Sequence, residues 1–359
     1  MVKSSNRVHI EKFSLSDDEL EDCLHGTFID YESHNWQLGQ AWLANLASTA
    51  LDPTEKAVIY IARLSAEDFV VCPLRLNAGS GQAHALSTFY TSLFSPLASS
   101  ETPEVLFTEL FRYLITVEKL TAITLSPMDQ QAPEFDLARR ALARSGWKGL
   151  HSFFCFGNWI HRLGENTYHS YLAARPSQLR NTVARRTRKF LGPEKGQLQL
   201  IQDPDSTESA ILQFVAVYNK SWKKEEPYPD FIPQLMRMAA RRGWLRLGIA
   251  HYDNKPVASQ IWIVANGTAY IFKLAYDESY KRLSPGTVLT AFMMEHVIDA
   301  DKVTSIDYLS GDDGYKKDWM SVRRERHGLA AYNPKTLRGS AMLIAHILKG
   351  LYRRLKGSR

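Results

Sequence analysis

The sequence predicts an α/β chain of the α+β kind, divided into two domains. Three observations carry that reading. A length of 359 residues exceeds what one hydrophobic core usually spans, so two domains are the natural division. Each half mixes helix-period with strand-period segments. The order of those segments in the first half returns in outline in the second, without any repeat of letters. Hydrophobic residues at 45% and charged residues at 23% are those of an ordinary soluble globular chain, so each half can bury its own core.

In the first half, Asn35–Leu51 places Trp36, Leu43, Leu46 and Ala47 near one helical stripe. AVIYIARL and DFVVCPLRLN flank the short polar break Ser65-Ala66-Glu67, the pattern of a hairpin. A third apolar segment runs around His84–Tyr90. TPEVLFTELFRYLI opens with Thr102 at a cap position, Pro103 in the first turn and Glu104 beside it, all helix-start signals. LTAITL reads as a buried strand. PEFDLARRALARSG reads as a helix stopped near Gly146, and WKGLHSFFCFGNWIHRL closes the half as a strand or strand pair.

The boundary falls at Gly164-Glu165-Asn166. This gives a domain over 1–163, a second over 164–335, and a basic amphipathic helix over 336–359. The second domain begins with a basic helix, Ser177–Leu191, stopped by Gly192-Pro193. TESAILQFVAVYNKSW sets Ile211, Phe214, Val215, Tyr218 and Trp222 on one helical face, and FIPQLMRMAARRG is a further helix. WLRLGIAHY and VASQIWIVA join across Asp253-Asn254-Lys255-Pro256. TAYIFKLAY follows at Asn266-Gly267, a strong two-residue hairpin signal. PGTVLTAFMMEHVIDA is a helix and VTSIDYLS a last strand. In the C-terminal helix, Ile344, Ile347, Leu348 and Leu351 form an apolar face. Docking on the protein is the default for such a face, and a membrane surface is the alternative.

Several classes are excluded. Lys plus Arg exceed Asp plus Glu by six, a milder excess than dedicated nucleic-acid binders carry, though it suits a polyanionic ligand or an anionic membrane surface. Cys23, Cys72 and Cys155 form no CxxC, so neither a disulfide framework nor a structural zinc is expected, and a reducing cytoplasm fits. The N-terminal twenty residues lack the apolar core of a signal peptide, which predicts a soluble, unprocessed chain, with peripheral contact at the inner membrane as the variant. No HExxH, GxSxG or Walker loop occurs, and the histidines lack ligand spacing, so no metal is expected.

Two stretches carry a resemblance. KLAYDESYKRLSPGTVL, Lys273–Leu289, looks like the strand-to-helix crossover that holds the cofactor pyrophosphate in the GNAT acyltransferase superfamily. IDYLSGDDGYKKDW, from Ile306, is similar to an Asp-aromatic-x-x-Gly-Asp-x-x-Tyr-Lys-x-x-Trp signature. That signature marks the bacterial CelD/BcsL-type acetyltransferases linked to cellulose and exopolysaccharide synthesis, which resemble the Fem peptidyltransferases in carrying two GNAT-like domains. The basic helix in YHSYLAARPSQLRNTVARRTRKF resembles the same branch. The order of elements matches over most of the chain, the letters only from Tyr168 onward. The resemblance implies two tandem GNAT-like domains, each a mixed, mostly antiparallel twisted sheet flanked by helices, and a first domain that is a degenerate copy completing the acceptor groove. It implies an acyltransferase moving an acyl group, acetyl in the first instance, from acyl-CoA to an amine or hydroxyl of a polysaccharide or cell-envelope precursor. The superfamily fingerprint is Arg/Gln-x-x-Gly-x-Gly/Ala, and here Lys281, Ser284 and Gly286 hold the aligned positions, with Pro285 lacking an N–H. In the Fem branch a similar departure accompanies a charged tRNA as donor, so an aminoacyl transferase is one alternative and a non-catalytic GNAT shell another.

Acyl transfer needs a held donor, a polarised carbonyl, a proton acceptor and a stabilised thiolate. The helix start at Ser284, Gly286, Thr287 and Val288 offers amides and a positive dipole end to a diphosphate, with Lys281 and Arg282 just upstream as cations. Lys273, Leu274 and Ala275 end the preceding strand, where a GNAT-like sheet would splay to admit the pantetheine arm. Asp307 is either a base with a raised pKa among apolar neighbours or an anchor for backbone amides. Asp312 is either a base or a turn residue. The resemblance assigns Lys316, within aromatic-Lys-x-x-aromatic, to the developing oxyanion, and Tyr315 to the leaving thiolate. Arg180, Trp222 and Trp319 are the candidate acceptor-binding side chains.

Overall fold

The computed structural model describes residues 7–15, 30–100, 102–164, 167–192 and 194–357, with the side chains of 353–355 and 357 excepted. Cys23, Glu165, Asn166 and Pro193, all singled out above, lie outside the described residues. The strands are β1 (His9–Phe13), β2 (Glu55–Arg63), β3 (Phe69–Asn77), β4 (Gln82–Ala85), β5 (Leu97–Ser99), β6 (Ala122–Asp129), β7 (Lys148–Arg162), β8 (Gly196–Ile201), β9 (Leu245–Tyr252), β10 (Lys255–Ala265), β11 (Thr268–Tyr276), β12 (Ser305–Asp307) and β13 (Val322–Tyr332). The helices are α1 (Gln40–Thr49), α2 (Pro103–Thr116), α3 (Pro133–Arg144), α4 (Tyr168–Ala173), α5 (Ser177–Leu191), α6 (Thr207–Tyr218), α7 (Phe231–Arg241), α8 (Pro285–Asp299), α9 (Lys316–Trp319) and α10 (Leu337–Gly357). Backbone contacts group them into two compact units, 1–156 with 325–359, and 157–324.

The first unit is built on a sheet in the order β1-β2-β3-β4-β6-β13. All neighbours are antiparallel except β4 and β6, which run parallel through three residue pairs, Gln82–His84 against Ala122–Thr124. β13 was not foreseen from the sequence; its residues from Arg326 onward pair with β6. α2 lays Leu106, Phe107, Leu110, Phe111 and Leu114 on this sheet, each fully buried side chain contributing about 2 kcal/mol. It starts where Thr102 and Pro103 predict, but the Thr102 hydroxyl makes no capping bond. The predicted helix over Asn35–Leu51 is broken at Gly39 into a turn of 3-10 helix, Trp36–Leu38, and α1. The C-terminal helix departs from expectation: Ile344, Ile347, Leu348 and Leu351 are exposed and do not dock.

The second unit has the order β8-β9-β10-β11-β12, followed by the end of β7. The Asp253-Asn254 and Asn266-Gly267 turns hold both central residues at positive φ, as two-residue hairpins demand, and produce the antiparallel β9-β10-β11 meander. β10 is buried along most of its length, and α8 packs Val288, Leu289, Met293, Met294 and Val297 into the same core. β8 was missed because its apolar residues alternate over only six positions. α6 stops at Tyr218, so Trp222 lies beyond it rather than on its face, and Val215 is exposed.

Two irregularities shape the site. β12 runs parallel to β11 for only three pairs, Thr268–Tyr270 against Ser305–Asp307. β11 continues to Tyr276, so six further residues lie past the last pair. Along that stretch β11 also carries a bulge: Ile261 faces Lys273 while Trp262 faces Ile271, which leaves Phe272 as the extra residue. Bulges bend a strand and re-aim its side chains, often beside sites.

Candidate active site

A cleft of about 420 Å³ opens where β11 and β12 part. Leu274, Ala275 and Tyr276 line it from β11, Tyr308 from beyond β12, and Gly286 and Thr287 from the first turn of α8. Gln260 and Thr290 lie behind them, and Trp222, Lys223, Asp313, Tyr315 and Trp319 complete it.

The first turn of α8 is shaped for an anion. Ser284 takes a left-handed conformation with φ 53°, and Pro285 sits where a missing N–H costs nothing. The Ser284 amide donates to the Lys281 carbonyl at 3.0 Å and the Val288 amide to the Ser284 carbonyl at 3.2 Å. Of the expected anion-binding amides, only those of Gly286 and Thr287 therefore remain, at the positive end of a fifteen-residue helix. The expectation for Val288 is corrected twice over, because its side chain is also in the core. Buried Gln260 fixes this turn by donating to the Gly286 carbonyl at 2.9 Å and to Thr290 Oγ1 at 2.8 Å. A Cβ on Gly286 would lie 3.3 Å from the Tyr276 ring, so a side chain there would narrow the cleft wall.

The predicted cations are placed elsewhere. Lys281 and Arg282 are exposed and do not line the cleft. The Arg282 carbonyl instead accepts a hydrogen bond from Arg186 Nη1 at 2.7 Å, which ties α5 to the turn before α8. Lys273 is paired with Glu226. Arg180 is exposed and is not part of the cleft. Trp222 stands at the rim, 52% exposed, its ring 4.6 Å from that of Tyr276. Trp319 is buried against the core, and its carbonyl accepts from the Tyr171 hydroxyl at 2.6 Å.

The acidic turn is a built device. Asp307 does not sit among apolar neighbours: Oδ1 accepts from the Asn158 amide at 2.6 Å and the Leu309 backbone amide at 2.7 Å, and Oδ2 accepts from Arg324 at 2.8 Å. It anchors the loop, holding Leu309 at φ 53°, which turns the chain away from β11. Asp312 accepts from Trp159 Nε1 at 2.7 Å and from Arg323 Nε at 2.8 Å. The hydrogen bond from Arg323, then that from Trp159, hold its carboxyl below the usual range, which favours a fixed anion over a proton acceptor. Lys316 is 4% exposed. Its ammonium donates to the carbonyls of Ser310 at 2.7 Å, Gly311 at 3.2 Å and Tyr308 at 3.5 Å, and pairs with Asp313 at 3.4 Å. Burial draws its pKa down, against the pull of Asp313. With its donors committed to carbonyls, it folds the turn rather than facing a reacting oxygen. Gly311, at φ 102°, is required there, since a Cβ would lie 3.1 Å from Lys316 Nζ.

Two cleft groups carry roles not read from the sequence, which placed Tyr308 and Leu309 only as the end of the later strand and did not single out Lys223. The Tyr308 hydroxyl is buried beside the Thr290 hydroxyl, which itself donates to the Gly286 carbonyl at 2.9 Å. Burial pushes the Tyr308 phenol well above its ordinary pKa, and burial also raises that of Tyr315. Lys223 places its ammonium 5.8 Å from the rings of both Tyr218 and Trp222. Burial first, and then the Lys273 cation, push its pKa down to about 8, with Glu226 opposing. The cleft thus holds an acid that stays protonated and an amine that can lose its proton, the separation that acid–base chemistry requires. Tyr308 is the first aromatic of the acidic-turn signature, but Lys223 has none: a lysine beside a tryptophan is commonplace.

Residues 177–317 match the family model described as an acetyltransferase (GNAT) domain. No curated protein sequence matches the chain. Solved structures share its fold across most of its length. FemX is 10% identical, with 89% of this chain and 96% of that one covered at a TM-score of 0.56. A tandem GNAT protein from the clavulanic acid biosynthesis pathway is 13% identical, with 92% and 100% covered at 0.53. A conserved protein of unknown function from Bacteroides thetaiotaomicron is 12% identical, with 91% and 100% covered at 0.55. The mixed α/β architecture of tandem GNAT-like domains is therefore the fold of this chain.

Proposed function

We propose that the second unit transfers an acyl group, acetyl in the simplest case, from acyl-CoA to an amine or hydroxyl of a polysaccharide or cell-envelope precursor. The observation that carries this reading is the parted β11–β12 ladder beside two uncommitted helix amides. A bound acyl-CoA would supply an activated carbonyl and a thiolate leaving group. The amides of Gly286 and Thr287 would hold its diphosphate, and the walls formed by Leu274, Ala275, Tyr276 and Tyr308 would hold the arm. Lys223, neutral in part at physiological pH, takes the proton of the attacking amine or hydroxyl. Tyr308, protonated throughout that range, donates to the departing sulfur. Lys316, Asp307 and Asp312 position the turn from which Asp313 and Tyr315 reach the cleft. The exposed Trp222 ring offers a stacking face for a sugar, in keeping with the polysaccharide-linked branch that the acidic-turn signature resembles.

The test is to incubate the protein with a panel of acyl-CoA thioesters and amino sugars and to measure free thiol. In parallel, CoA is tested for a rise in melting temperature, since a ligand that binds only the folded state stabilises it. Thiol release with a CoA-induced shift supports the reading. Deacylation of charged tRNA without thiol release would move the donor to the Fem-like alternative. A flat melting curve and no turnover would leave a non-catalytic shell.

A further inference from the structure

The last helix, α10, is held to its own unit along one side only. Leu343 lies against Gly149, and the His346 ring stacks on that of His151 at 4.0 Å and lies 5.5 Å from that of Tyr332. Ile344, Ile347, Leu348 and Leu351 recur at i, i+3, i+4 and i+7, and so share another face of the same helix. With Tyr352 they are between 50% and 63% exposed. A contiguous apolar stripe of this kind is uncommon on a free surface and marks an interaction site. The charge on the helix is one-sided. Arg338, Lys349, Arg353, Arg354 and Lys356 lie within it, with no Asp or Glu, in a chain whose 44 basic residues are nearly balanced by 38 acidic ones. Most of the chain's net charge of +6 is thus matched by this one segment.

We propose that α10 lies on the surface of an anionic lipid bilayer, its apolar stripe at the boundary of headgroups and acyl chains and its cations over the headgroups. That pairing of an apolar stripe with an all-cationic remainder is what an interfacial helix uses. Among the described residues no helix is long and apolar enough to cross a membrane, so the helix rests in the plane of the surface. A second copy of the chain is the poorer occupant, because a two-fold contact through this stripe would bring two sets of cations together. The proposal does not depend on what the second unit catalyses.

The test floats the full chain with vesicles of phosphatidylcholine alone and of phosphatidylcholine mixed with phosphatidylglycerol. We expect co-flotation with the anionic vesicles only, weakened by salt. The double variant Ile347→Glu, Leu348→Glu should lose that binding. Lys349→Glu should weaken it by about fivefold or more, the worth of one basic residue near an anionic surface. Both alter exposed positions, so melting temperature and CoA response should stay as in the parent. The proposal is overturned by failure to float with anionic vesicles, by equal flotation with neutral ones, by binding that survives the double variant, or by light scattering that shows a dimer the double variant splits.

Discussion

Replacing Lys223 by methionine tests the acid–base reading most directly. Its ammonium faces Lys273 and Lys316 as cations and Glu226 and Asp313 as carboxylates, with the Tyr218 and Trp222 rings against it. The net effect lowers its pKa from 10.5 to about 8. At pH 7 this raises the neutral fraction by about 300-fold over an ordinary lysine, to roughly one molecule in ten. Below pH 8 the amine is protonated and cannot accept a proton, so turnover should rise about tenfold between pH 7 and pH 9 and level off above that. Lys223→Met should flatten that limb and lower kcat by about a hundredfold or more, with the CoA-induced melting shift retained. Glu226→Gln removes the main carboxylate opposing the shift and should move the limb to lower pH. A second assay needs no acceptor: the rate at which an amine-reactive reagent labels Lys223, followed by peptide mass spectrometry against pH. A labelling midpoint near the ordinary lysine value, or a pH–rate limb unchanged in Lys223→Met, would refute the reasoning.

Tyr308→Phe deletes a buried hydroxyl whose neighbour is the Thr290 hydroxyl. It should cost no more than about 1 kcal/mol of stability while lowering kcat by about a hundredfold; thermal melting and thiol release measure the two. Gly286→Val puts a branched side chain against the Tyr276 ring, where even a Cβ would lie at 3.3 Å. It should abolish the CoA-induced melting shift while the protein still folds. Asp307→Ala strips Arg324, Asn158 and the Leu309 amide of one shared partner. A urea midpoint lowered by the equivalent of about 3 kcal/mol is expected, and a loss under 1 kcal/mol would remove Asp307 from its anchoring role.

The elements that could be read in advance are those specified by nearby residues. The hairpin at Asn266-Gly267, the start of α2 at Pro103 and the stop near Gly146 each rest on the φ preference of one or two residues, and all three are found. The site was read in outline for the same reason. Leu274, Ala275, Gly286, Thr287, Tyr315, Trp222 and Trp319 do line one cleft, because a strand end, a helix start and the turn after β12 can each be recognised locally. Lys273, Lys281, Arg282 and Val288 were drawn in by proximity in sequence and Arg180 by its place beside the apolar stripe of the basic helix; pairing, core burial or exposure takes them out of the cleft.

The chain's own letters decided that strands and flanking helices would recur in both halves, where the hairpins turn and which helix start would face an anion, since those follow from backbone preference and apolar periodicity. Tertiary structure decided which charges are spent and which are free. Asp307 became an anchor only through Asn158 and Arg324, residues up to 149 positions away in the chain. Lys316 became a clamp only once its turn closed over it. Lys223 and Tyr308 gained their protonation states from burial and from neighbours that no local pattern announces. Desolvation and charge–charge interaction depend on what is nearby in space, and that is set by the fold as a whole.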